Sequence, residues 1–169
     1  MSTAKVREAI ATLSATFSAE PAKARAKNAP ATARLNEGLQ FEVTGPYNAR
    51  IVTDMPPAMG GAATGPNPGW FLRAALASCT ATAIAMRAAK LGIKLDILEL
   101  TVESESDARG LLGMGDVSAA LGAVRTKVKI RGNATPEALR DLAAWGEAHS
   151  PVGCTLRQSV DCSLDVDVV

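Results

Sequence analysis

The chain has 169 residues, with 18 Lys+Arg against 17 Asp+Glu, one His and three Cys. At 47% apolar and 21% charged residues it is globular in composition, which excludes a dominantly disordered chain; a single domain of this size buries about 70% of its unfolded surface. A formal charge of +1 and 4% aromatics supply neither the basic excess nor the stacking platforms expected of a nucleic-acid or membrane-surface binder.

The N-terminal stretch is broken by Lys5, Arg7 and Glu8 and lacks the apolar core and cleavage site of a signal peptide, so a cytoplasmic protein is expected. Val6, Ile10, Leu13 and Phe17 recur at helical spacing and predict a helix over 3–19, ending before Pro21. A linker rich in Ala, Lys and Pro follows to about Ala33, which sets 1–33 apart as an extension from a domain over 34–169. Leu39, Phe41 and Val43 alternate with polar residues as a strand; Gly45-Pro46 turns the chain, and a second strand starts over 50–53. Residues 55–65, with Pro56, Pro57, Gly60 and Gly61, read as a flexible loop. Asn67-Pro68 is an N-cap and first-turn pair opening a long Ala-rich helix to about Leu91-Gly92. Its one internal charge before Arg87 is Arg73. Alanine contributes little transfer energy, so the segment is expected to be buried in protein rather than to span a membrane.

Leu98, Leu100 and Val102 then alternate with Glu99, Thr101 and Glu103, and Val124, Val128 and Ile130 alternate with a basic stripe of Arg125, Lys127, Lys129 and Arg131. Cross-strand pairing of the acidic and basic stripes explains both without a ligand. Thr135-Pro136-Glu137 caps another helix with Leu139, Leu142 and Ala143 inward, and Ser150-Pro151 opens a short one. The last segment alternates Val160, Cys162, Leu164, Val166 and Val168 with polar residues and reads as a strand with Cys162 in the core. One-sided strands with helices to cover them predict an α+β fold built of antiparallel sheets around the long helix. That helix is apolar nearly all round, more than a domain of this size covers, and a homodimer would bury the remainder.

Chemical candidates are few. The three cysteines form no CxxC pair and His149 cannot complete a zinc set, so neither a structural metal nor a cofactor is expected. Gly60-Gly61-Ala62-Ala63-Thr64-Gly65 lacks the Lys-Ser/Thr of a phosphate loop and the spacing of a dinucleotide fingerprint. His149, in the last turn of its helix, reads as a cap on carbonyls rather than a general base. Cys79 shares a helix face with Leu72, Ala75, Leu76, Ala83 and Met86, as a core residue does. Cys154 lies one turn into a helix, where backbone amides and the dipole favour a thiolate.

Several segments together resemble the OsmC/Ohr family of osmotically inducible and organic-hydroperoxide-resistance proteins. Gly65-Pro66-Asn67-Pro68 is followed by Ala74-Ala75-Leu76-Ala77-Ser78-Cys79, with the Cys eleven positions after the second Pro; Ala148-His149-Ser150-Pro151-Val152 is similar to the family's second motif. The likeness covers roughly 35–169. It implies an intertwined homodimer with the active site between subunits and a two-cysteine reduction of peroxide. The first thiolate becomes a sulfenic acid, the second thiol closes a disulfide, and a cellular dithiol reduces it. It also implies a cation beside the first thiolate, commonly an Arg held by a Glu. The sequence departs from the pattern at three points. Ser150 replaces the resolving Cys, Gly69 stands where the hydroperoxide-resistance branch has its Glu, and no Arg falls at a motif position, Arg34 and Arg50 being on the right stretch. Cys154 stands four residues after Ser150, hence about 6 Å along the same helix face, and a disulfide needs Cα atoms within about 7 Å. The reading is therefore a thiol-dependent peroxide reductase with Cys79 attacking, Cys154 resolving and Arg50 or Arg34 activating. The alternatives are a family member that binds a small apolar or thiol-bearing molecule without peroxidase activity, and a purely structural stress protein.

Overall fold

The structure, a computed structural model, describes residues 3–169, and its contacts divide the chain into two compact units. One boundary falls inside the long helix, between Ala75 and Leu76, and the other between Arg7 and Glu8. The architecture is α+β, with two small antiparallel sheets.

The unit over 8–75 carries most of the first helix, α1 (Thr3–Ala19), which buries no residue; Leu13 and Phe17 on its apolar stripe stay exposed. Its sheet has the order β1-β2-β3, from Thr32–Glu37, Gln40–Thr44 and Arg50–Thr53. The strand β1 falls partly in the stretch read as linker. All six of its residues are exposed, so no alternation marks it, and it exists because Gly38, at φ +56, turns the chain so that Leu35 pairs with Phe41 and Ala33 with Val43. The loop over 55–65, expected to be flexible, is tied to the carboxylate of Asp54. That carboxylate accepts from the amides of Met55 (2.7 Å), Ala62 (3.1 Å) and Thr64 (3.0 Å) and from the Thr64 hydroxyl (2.9 Å). These donors favour the charged form, so the carboxyl is held below its usual range, the Thr64 amide contributing most. The loop's glycines have a steric reason: a Cβ on Gly61 would lie 1.9 Å from the Met55 carbonyl oxygen.

The long helix α2 (Pro68–Leu91) opens as its sequence predicts, Asn67 Oδ1 accepting from the Trp70 amide at 2.9 Å. In the unit over 76–169, its residues Ile84 and Ala88 form the core with Leu142 of α4 (Pro136–Ala148). Around them pack Leu95, Leu98 and Leu100 of β4 (Leu95–Ser104), Val128 and Ile130 of β5 (Val124–Gly132), and Leu139 and Ala143 of α4. Between the strands, a single-turn helix α3 (Ala108–Leu111) is capped by Asp107, whose carboxyl Arg109 holds below its usual range. The β4–β5 ladder sets Glu99 opposite Lys129 and Glu103 opposite Arg125, and the two stripes close on each other: Lys129 with Glu99, Lys127 with Glu103, Arg125 with Glu105. Thr135 caps α4 and Ser150 caps α5 (Pro151–Arg157), each by a side-chain oxygen that accepts an amide three residues on.

One expectation fails. Residues 158–169 form no strand, because no neighbouring strand pairs with them. Cys162 is accordingly exposed rather than in the core, and Leu164 and Val168 stand at 85% and 93% exposure. Burial of α2 is partial. By length and composition it could cross a membrane, yet its buried residues are confined to Leu76, Thr80, Ala83, Ile84, Ala88 and Ala89, one stripe at three- and four-residue spacing, while Trp70, Met86 and Leu91 are exposed.

Candidate functional site

The face of α2 that carries Cys79 repeats at Thr82, Ala83 and Met86, the three-, four- and seven-residue spacing that aligns side chains along a helix. Opposite it lies the C-terminal end of α4. The two helices approach closely because residue 146 has no side chain; a Cβ there would lie 2.2 Å from Ile84 Cγ1 and 2.9 Å from the Ile84 amide nitrogen. The approach leaves a cleft of about 510 Å³, lined by Ser78, Cys79, Thr82, Ala83 and Met86 on α2, Trp145 and His149 at the end of α4, and Pro151 at the start of α5. The lining is largely apolar and contains no Lys, Arg, Asp or Glu. Cys79 is half-buried and free.

The α4 end is rigidly built. His149 is the C-cap residue of α4, and its backbone amide donates to the Trp145 carbonyl at 3.0 Å. Its Nδ1 lies 2.8 Å from the same oxygen, and its ring stacks on the Trp145 indole, centroids 3.9 Å apart at 11°. The Arg87 guanidinium carbon sits 4.9 Å from the Trp145 ring centroid, a cation over the π face. His149 thus caps a carbonyl as its sequence position predicts, and it also lines the cleft that Cys79 lines. Neither Trp145 nor that second role was legible from the motifs. The available signal was the Trp-x-x-x-His spacing, which stacks the two rings one turn apart.

Cys154 is half-buried and free as well, and it has partners of its own. Its Sγ is 3.2 Å from the Ala148 carbonyl oxygen and 3.6 Å from Nη2 of Arg157, a nitrogen that also donates to the Glu147 carbonyl at 3.0 Å. The other guanidinium nitrogen of Arg157 pairs with the Glu147 carboxylate. An Arg anchored by a Glu therefore stands beside Cys154, and the sequence motifs did not single out either residue. Ser150 is fully buried, its Oγ accepting from the Gly153 amide at 3.2 Å.

Arg34 and Arg50 belong to the unit over 8–75, where both meet Glu42. Arg34 is its cross-strand partner on β1, and Arg50 Nε donates to Glu42 Oε1 at 2.5 Å. This hydrogen bond is the main cause that holds the Glu42 carboxyl below its usual range, with the charges of Arg50 and Arg34 adding to it, and it raises Arg50 in turn. Among the described residues no group of three or more His, Cys, Asp or Glu is disposed to hold a metal ion.

The fold and site define a class: an α+β protein whose long alanine-rich helix presents a free thiol to an apolar cleft. Residues 60–165 match the family described as OsmC-like protein, and the chain belongs to that family. No curated protein matches the sequence. Among solved structures the chain is similar to the organic hydroperoxide resistance protein OsmC of Legionella pneumophila, at 25% identity and a TM-score of 0.63 over 81% of this chain and 94% of that one. It is similar to the OsmC-like protein of Mycoplasma pneumoniae at 19% identity and a TM-score of 0.68, over 79% and 89%. The organic hydroperoxide resistance protein OhrB of Bacillus subtilis follows at 21% identity and a TM-score of 0.53, over 80% and 94%.

Proposed function

We propose that this OsmC-like protein reduces organic hydroperoxides with Cys79 as the attacking thiol. The observation that carries the reading is the company Cys79 keeps: a half-buried free sulfur on a cleft whose walls are apolar and without fixed charge. Such walls suit a peroxide with a hydrocarbon tail better than hydrogen peroxide, because burying the tail contributes about 25 cal/mol per Å² and the polar side chains of the lining are few, Ser78, Thr82 and His149. The likeness to the Legionella hydroperoxide resistance protein supports the same chemistry.

In this reading the Cys79 thiolate attacks the outer peroxide oxygen, the O–O bond breaks, the alcohol leaves and Cys79 becomes a sulfenic acid. A second thiol then displaces hydroxide, as water, to form a disulfide, and an external dithiol restores both thiols. Cys154 is the internal candidate for that second thiol; Arg157, anchored on Glu147 at 3.6 Å from its sulfur, supports its reactivity. Arg50 and Arg34, gathered on Glu42, are the candidates for the activating cation, and Glu42 offers Arg50 the carboxylate clamp that Gly69 does not supply. The working form is a homodimer in this reading, since Trp70, Met86 and Leu91 of α2 are exposed at 46%, 43% and 53%.

The test mixes purified protein with cumene hydroperoxide and dithiothreitol and follows peroxide loss. Cys79→Ser is expected to remove the activity, and Cys154→Ser to slow turnover while leaving the first oxidation intact. If Cys154→Ser keeps the full turnover rate, external thiol resolves the sulfenic acid directly. Loss no faster than in buffer overturns the peroxidase reading. It then favours the binding of a small apolar molecule, which Ser150, committed to capping α5 instead of redox chemistry, already suits.

A further inference from the structure

We propose that His149 is the acid–base partner of Cys79, the group that accepts the thiol proton and returns it to the departing alkoxide. The proposal rests on the peroxidase reading for its second half only; the first half concerns the thiol alone.

Three observations carry it. The cleft lining contains one thiol, Cys79, and one imidazole, His149, and no other acidic or basic side chain. A proton leaving the sulfur into these walls has one side chain to go to. The second observation is the tautomer. Nδ1 of His149 lies 2.8 Å from a carbonyl oxygen, and a carbonyl can only accept, so Nδ1 carries the hydrogen. In the neutral ring the lone pair is then on Nε2, the atom at the far edge from the backbone, which leaves it available to take up a proton. The third is preorganisation. The ring is fixed by the Nδ1 bond, by the backbone bond to the same carbonyl, and by stacking on Trp145. It has little freedom to lose when it acts. A cap needs only the Nδ1 side of the ring; the exposed ring in a cleft beside a thiol is more than capping requires.

At this end of α4 the charged and titratable groups are Arg87 of α2, over the Trp145 ring, and Glu147 of α4 with Arg157 and Cys154 of α5. Arg87 lies against the indole on which His149 stacks, and Glu147 is engaged by Arg157. The Cys79 S–H bond breaks and its proton passes to Nε2. The sulfur electron pair then forms the S–O bond to the outer peroxide oxygen as the O–O bond breaks. The leaving alkoxide takes the proton from Nε2 and departs as the alcohol. Cys79 ends as a sulfenic acid, oxidised by two electrons, the peroxide is reduced by two, and His149 is neutral again.

The test uses a Cys154→Ser, Cys162→Ser background, in which Cys79 is the sole thiol, and two readouts. The first is the rate of alkylation by iodoacetamide against pH, which involves no peroxide. The rate is expected to show an inflection that belongs to the His149 ring. His149→Asn keeps an amide donor where Nδ1 was and has no base. It is expected to remove that inflection and slow neutral-pH alkylation about tenfold. His149→Ala with added imidazole is expected to recover rate, which a purely structural residue would not allow. The second readout is single-turnover oxidation by cumene hydroperoxide, expected to fall about a hundredfold in His149→Asn. An unchanged alkylation profile in His149→Asn, with no response to imidazole in His149→Ala, overturns the proposal whatever the peroxide result. If the alkylation effects hold while no variant, including the parent, consumes peroxide, His149 stands as the base for Cys79 and the peroxidase reading falls.

Discussion

Gly146→Ala is expected to destabilise the protein even though alanine is the better helix former, and the size of the effect follows from the contact it makes. Relative to Gly in the interior of α4, Ala gains about 1 kcal/mol of helix propensity. Against that, its Cβ would lie 2.2 Å from Ile84 Cγ1, 2.9 Å from the Ile84 amide nitrogen and 3.1 Å from its Cα. Ile84 is fully buried in the α2–α4–sheet core, so its side chain has no open space to enter, and two of the three atoms are backbone. Overpacking a filled core costs about 1–3 kcal/mol, and a clash with backbone belongs at the upper end. The net loss is about 2 kcal/mol, or about 4–8 °C in Tm for a chain of this length. The assay is thermal and urea unfolding by circular dichroism, extended to a double-mutant cycle with Ile84→Ala. Alone, Ile84→Ala is expected to cost about 2–5 kcal/mol through the cavity it leaves. In its presence the Cγ1 clash is gone while the approach to the residue-84 backbone remains, so the double variant should be more stable than the sum of the singles by about 1 kcal/mol. A Gly146→Ala protein as stable as the parent, or strict additivity in the cycle, would refute the close approach of α4 to α2 and with it the geometry of the cleft.

Other outcomes follow from single contacts. Ser150→Ala removes the cap of α5 and is expected to cost about 1 kcal/mol, read as a lower urea midpoint with unchanged m-value. Asp54→Asn replaces a carboxylate accepting four hydrogen bonds with an amide whose nitrogen cannot accept; faster hydrogen exchange at the Ala62 and Thr64 amides is the expected result. In the parent, the Asp54 carboxyl is lowered in the folded state. Its stabilisation is therefore complete above the ordinary carboxylate value near 3.9 and is lost as pH falls through the lower folded value, so the same amides should lose protection only on strong acidification. Arg157→Met leaves Cys154 without its guanidinium and should slow its alkylation several-fold, measured by peptide mass spectrometry, with Cys79 labelling unchanged.

Periodicity and caps carried most of the architecture. Asn67, Thr135 and Ser150 each accept the amide that their position predicts, and the opposed charge stripes of β4 and β5 pair as complementary faces do. Legibility ended where a structure depends on what lies across from a segment rather than on the segment itself. The strand β1 has no buried face, so nothing periodic announces it. The last twelve residues have a clean alternation and no strand beside them, so pattern alone does not make them a strand. Cys79 was found through a motif, whereas residue physics placed it in the core. Ala83 beside it is buried, but Met86 on the same face is exposed, because α4 covers only part of the helix and leaves the cleft. The corner of Trp145, Gly146 and His149 is three-dimensional in origin. Its glycine shows no turn or positive φ, only a neighbour that leaves no room. The Arg157–Glu147 pair beside Cys154 spans ten residues, and no local spacing rule connects them.

The stacked pair at the end of α4 gives this chain an intrinsic optical gauge. It has two tryptophans, and one of them, Trp145, lies flat against His149 at 3.9 Å. In a Trp70→Phe protein the emission comes from that stacked corner alone, and a guest entering the cleft that Trp145 lines changes it. Binding can then be followed in real time without a dye, on the same sample whose thiol is being titrated.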